Sequence, residues 1–63
     1  MNLQKINKRK LRVVSIDGIA QASYVGDPIT VAVDKNGDFW RDPYGTSIKA
    51  APKGMKLAKV LFT

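Results

Sequence analysis

The chemistry this chain can offer is carried by its cations. Eleven lysines and arginines stand against five acids over 63 residues, a net charge of +6. A positive field that dense on so short a chain favours polyanions, nucleic acid first. Two clusters stand out. Lys8, Arg9, Lys10 and Arg12 crowd the N-terminal end, and Lys49, Lys53, Lys56 and Lys59 the C-terminal end. A strand beginning near Lys8 would turn Lys8, Lys10 and Arg12 to one side and Leu11 and Val13 to the other. Such a row contacts phosphates with salt-sensitive, largely sequence-independent affinity. Its plainer reading is a solvated strand face that discourages strand-to-strand aggregation. Trp40 and Tyr44, with Arg41 beside them, are candidates to stack on single-stranded bases or to anchor a protein partner. As the one tryptophan of a small domain, Trp40 is more simply expected in the core.

Other chemistry finds little footing. There is no cysteine and no histidine, which removes disulfides, thiolate metal sites and the commonest transition-metal ligand. The hydroxyls of Ser15, Ser23, Thr30, Thr46, Ser47 and Thr63 have no histidine to activate them. The acids are all aspartates at turn positions: Asp17 precedes Gly18, Asp27 and Asp42 precede prolines, and Asp34 and Asp38 flank Asn36-Gly37. Aspartate there bonds the local backbone. The stretch Asp34 to Asp38 begins like a calcium loop, but Phe39 stands where that loop needs glycine and Gly45 where it needs a bidentate glutamate. The expectation is a protein with no catalytic residue, no metal site and no cofactor.

The elements that must position these cations are short strands. Leu11–Ile16 is rich in β-branched residues, Asp17-Gly18 is a hairpin dipeptide, and Ile19 to Val25 returns weakly because of Ala20 and Ala22. Gly26-Asp27-Pro28 breaks the chain. Ile29, Val31 and Val33 alternate with Thr30 and Ala32, giving one buried face at period two. Asn36-Gly37 turns into a strand from Phe39 to Arg41, Asp42 to Gly45 turns again, and Leu57 to Phe62 forms the last strand. Thr46 to Ala51 reads equally as a short strand or a capped helical turn. The pattern predicts an all-β domain: a small five- to six-stranded SH3-like barrel or a strongly bent antiparallel sheet over residues 11–63. Residues 1–10 read as a basic N-terminal arm, mobile or forming a short helix.

The segment Gly26-Asp27-Pro28-Ile29-Thr30-Val31 is similar to the G-D-x-V-x-V strand entry of KOW-type SH3-like domains. The similarity covers six residues. The glycine-rich continuation of that family is missing, since Asp34-Lys35-Asn36-Gly37 supplies one glycine. The resemblance implies an SH3-like strand entry and assigns no residue a role.

These features predict a non-enzymatic nucleic-acid-binding domain, for DNA or RNA, contacting phosphates through Lys8, Arg9, Lys10, Arg12, Arg41, Lys53, Lys56 and Lys59. The competing expectation is a protein-interaction module, an inhibitor or assembly subunit, docking on an acidic or apolar partner. A free strand edge leaves a homodimer open. The basic start lacks the apolar face of an interfacial helix and an apolar signal core, so the expected setting is cytoplasmic without membrane contact.

Overall fold

In the computed structural model, residues 3–62 are described. Met1 and Asn2, the start of the expected arm, and Thr63, among the hydroxyls considered above, lie outside them. Six strands form: β1 (Gln4–Lys5), β2 (Leu11–Ile16), β3 (Ile19–Ala20), β4 (Ile29–Val33), β5 (Phe39–Arg41) and β6 (Lys56–Phe62). They make one antiparallel sheet in the order β1-β5-β4-β6-β2-β3. The all-β expectation is met, in its open-sheet form: β1 and β3 are the two edges and do not pair to close a barrel. The chain measures 29 × 22 × 21 Å, the proportions of a small bent sheet.

Curling wraps one face around the core. The register places Val13, Ile29 and Val60 side by side, then Ile16, Val31 and Ala58, then Val33 and Phe39. Ile6, Val31, Phe39, Ala58 and Val60 are the buried cluster. The alternation in β4 put Val31 inward as expected, but Ala32 on the opposite face is also fully buried. Its cross-strand neighbour is Trp40, whose ring covers much more than a methyl group.

The turns follow from their residues. Asp17 (φ 53°) and Gly18 (φ 79°) are both left-handed, the requirement of a two-residue type I′ hairpin between Ile16 and Ile19. The β4–β5 turn is a three-residue loop in which Gly37 alone takes positive φ (85°) and its N–H donates to the Asp34 carbonyl. Asn36-Gly37 thus serves a type I turn with a bulge rather than a type I′ turn. Beyond β5, the stretch that read as strand or helix is neither. It runs beside the start of β4, which β5 does not reach, with the Ile48 N–H donating to Thr30 O and the Thr30 N–H to Ser47 Oγ, both at 3.0 Å.

The N-terminal segment is built into the sheet. Gln4–Lys5 pairs with Arg41 and Trp40, and the Ile6 N–H donates to Phe39 O at 2.8 Å. Ile6 is a core residue. β2 spans Leu11–Ile16 as expected; the extension back to Lys8 on which the basic row depended is absent, and Lys8–Lys10 form a 3-10 turn. Asn7 causes this: its Oδ1 accepts the Arg9 N–H at 3.0 Å and its carbonyl the Lys10 N–H at 2.9 Å, a capping arrangement that competes with extension.

Candidate nucleic-acid interface

The 3-10 turn redistributes the first basic cluster. With three residues per turn its side chains project about 120° apart, so Lys8, Lys10 and Arg12 do not form the expected row. Lys8 reaches Asp38, its Nζ 3.9 Å from Oδ1, and Lys5 approaches the same oxygen at 3.7 Å. Both ammonium groups are well exposed, so these pairs add little stability. Arg9 is exposed on the turn. Arg12 opposes Leu61 and shares the outer face with Lys59, which opposes both Thr30 and Ser15. Lys56 lies three residues from Lys59 in one strand and therefore faces the other side, opposite Val33. Lys53 is exposed in the Pro52–Met55 turn. The second cluster thus spreads over two faces and a loop.

Lys10 and Arg41 are brought together. Both line a groove of about 450 Å³ at one end of the core-facing side. Ile6 and Phe62 supply its apolar surface, Asn7 and Gly45 complete it, and Lys5 also lines it although its ammonium leans to Asp38. Among the described residues no acidic side chain lines it. Arg41 comes from β5 and Lys10 from the 3-10 turn, so the two charges are held by separate elements. Gly45 answers to the backbone rather than to the guanidinium: it takes positive φ (76°), and a Cβ there would make only ordinary contact with Arg41 Nη1, at 3.7 Å. Phe62 pairs with Leu11 at the end of β6 and keeps 48% of its surface exposed. Tyr44, in the turn beside Gly45, is 90% exposed; its N–H donates to Asp42 Oδ1 at 2.7 Å.

Trp40 is placed differently from either expectation. Phe39 takes the core position, and Trp40 lies on the outer face, partly buried. Its Nε1–H donates to Asp34 Oδ2 at 3.0 Å, while Asp34 Oδ1 accepts the N–H groups of Asn36 and Asp38, each at 2.9 Å. That carboxylate is therefore occupied as the clasp of the β4–β5 hairpin. The Asp38 N–H, then the Trp40 indole, hold its pKa below the ordinary aspartate value against an opposing effect of burial; Asn36 and the charge of Lys5 add to the lowering. A pKa depressed by folding contributes stability that is complete above the unfolded value, about 3.9, and is lost as pH falls through the folded value. Acid titration below about pH 4 is accordingly expected to release the indole and shift Trp40 fluorescence. Asp34→Asn should flatten that transition, and an unchanged transition would show that another group drives it.

Of the groove's lining only Lys10 and Arg41 were among the predicted contacts; Phe62 is the side chain with stacking chemistry that sequence reasoning left out. The available signal for Phe62 was its period-two relation to Ala58 and Val60, which puts it on the core face at the strand's open end. Compared with protein-family models, curated proteins and solved structures, the chain shows no significant match. Among the described residues no helix is long and apolar enough to cross a membrane.

Proposed function

We propose that this protein is a non-enzymatic nucleic-acid-binding domain that takes a single strand into the groove between Lys10 and Arg41. The observation that carries this reading is the composition of that groove: three cations, of which Lys10 and Arg41 are not engaged by Asp38, a half-exposed aromatic ring in the same lining, and among the described residues no acid. Lys10 and Arg41 would each contact a phosphate, Arg41 with the forked geometry that suits phosphate oxygens. Phe62 would take the face of an unstacked base, with Tyr44 at the rim. Such stacking contributes about 1–3 kcal/mol per base and tolerates any base. A duplex hides base faces within its stack, whereas a stacking ring needs an unstacked base, so the reading favours single strands. Arg9, Arg12 and Lys59 would add a diffuse attractive field rather than fixed contacts.

The test is Phe62→Leu, which keeps an apolar side chain and removes the ring. Anisotropy titrations should show single-strand affinity reduced at least about fivefold, with duplex binding unchanged. Equal behaviour of the variant and the natural chain on single strands would contradict the stacking role.

A further inference from the structure

A second groove, of about 400 Å³, lies toward the other end of β6. Phe62 lines the first groove and Lys56 the second, and the strand between them runs about 20 Å. Ile16 and Val33 supply the apolar surface of the second groove, and both pack against the buried cluster. Lys35 enters it from the β4–β5 turn and Lys56 from the start of β6, opposite Val33. Both lysines are exposed. Like Lys10 and Arg41, they are held by separate elements. Among the described residues the one acid in this lining is Asp34. Its carboxylate already accepts the N–H groups of Asn36, Asp38 and the Trp40 indole.

Lys5 and Lys8 bridge the two grooves. Lys5 lines the first groove, and its Nζ lies 3.7 Å from Asp38 Oδ1. Lys8 Nζ lies 3.9 Å from the same oxygen, and a Cβ on Gly37 would meet it at 3.8 Å. Gly37 lines the second groove. Two ammonium groups on one carboxylate leave positive charge at the bridge, and exposed pairs at such distances are weak enough to give way to a phosphate. The path from Arg41 and Lys10 through Lys5 and Lys8 to Lys35 and Lys56 gathers six of the eleven cations. Of the five acids it meets only Asp34 and Asp38.

We infer that the second groove holds the continuation of the strand bound between Lys10 and Arg41, so that one single-stranded nucleic acid spans both. The inference rests on the single-strand reading above and adds its path and its length. Lys35 and Lys56 each contact a phosphate. Among the described residues no aromatic side chain lines the second groove, so stacking stays with Phe62 and the second groove adds salt-dependent affinity. Phosphates of one stacked strand advance about 3.4 Å each, so about 20 Å takes about six nucleotides. That length is within the roughly 4–16 nucleotides that one OB-fold domain covers.

The test compares a thymidine trinucleotide with an octanucleotide, lengths on either side of that span, by anisotropy between about 50 mM and about 200 mM salt. For the natural chain the octanucleotide should give a slope of log affinity against log salt steeper by about 1.4, two further contacts at about 0.7 each. Lys35→Ala with Lys56→Ala should abolish that difference and leave the trinucleotide affinity and the circular dichroism unchanged. Arg12→Ala with Lys59→Ala, which removes the same charge from the outer face, should preserve it. Equal slopes for the two lengths, a difference that survives the loss of Lys35 and Lys56, or one lost equally in the outer-face variant would overturn the continuous path while the first groove stands. Trinucleotide binding indifferent to Lys10→Ala with Arg41→Ala would overturn both.

Discussion

Replacing Lys10 and Arg41 together with alanine lowers affinity for a single-stranded oligonucleotide on the order of 10- to 100-fold at low salt, because each cation releases counterions from a phosphate. The same variant loses about 1.4 from the slope of log affinity against log salt, at about 0.7 for each single-strand phosphate contact. Both side chains sit at the groove rather than in the buried cluster, so the fold should survive. The matched control is Arg12→Ala with Lys59→Ala, which removes the same charge from the outer face. Through the general field alone it should weaken binding only a few-fold. Equal losses in the two variants would mean that net charge, and not the groove, holds the strand.

Phe39→Ala has the largest expected effect on stability, about 3–5 kcal/mol. Phe39 is 7% exposed and packs within the cluster of Ile6, Val31, Ala58 and Val60. A domain of this size has roughly 3–9 kcal/mol to lose, so the variant should give up at least about a third of its stability. Trp40→Phe keeps a ring on the outer face and gives up the indole bond to Asp34, a loss of about 1 kcal/mol. Chemical denaturation followed by circular dichroism separates the two. A larger loss for Trp40→Phe would reverse the assignment of the two faces.

That assignment illustrates where the sequence was readable. Consecutive strand residues point to opposite sides, so one of Phe39 and Trp40 had to be inside, yet parity within the strand does not say which. The choice is made by partners distant in sequence: Phe39 sits opposite Val33 and accepts a hydrogen bond from Ile6, while Trp40 sits opposite Ala32 and Lys5. Signals contained within one element were legible. Leu11–Ile16, the Asp17-Gly18 hairpin, the alternation of Ile29 to Val33 and the final strand all depend on local backbone preference or period. The two-residue strand Gln4–Lys5 has no period to read and exists because β5 offers an edge. The return strand expected over Ile19 to Val25 pairs only at Ile19–Ala20, consistent with the small alanines that weakened it.

The candidate site was half legible for the same reason. Composition pointed to a polyanion and placed Lys10 and Arg41 among the contacts. It could not distinguish them from Lys8, which Asp38 engages, or from Lys56 and Lys59, which one strand sends to opposite faces. Asn7 is the local cause: its side chain caps a 3-10 turn where basic residues alone suggested a continuing strand. Phe62 joins Lys10 because β2 and β6 are neighbours, and Arg41 joins them because β1 pairs with β5. Topology, not spacing, assembles the groove.

The central claim is tested most directly by titrating the natural chain with a labelled single-stranded oligonucleotide at about 50 mM and about 200 mM salt, following anisotropy. Micromolar or tighter binding at the lower salt, falling several-fold or more at the higher, is the predicted result. Absence of binding at about 50 mM, or an affinity indifferent to salt, would contradict a role for Lys10 and Arg41 in holding phosphates.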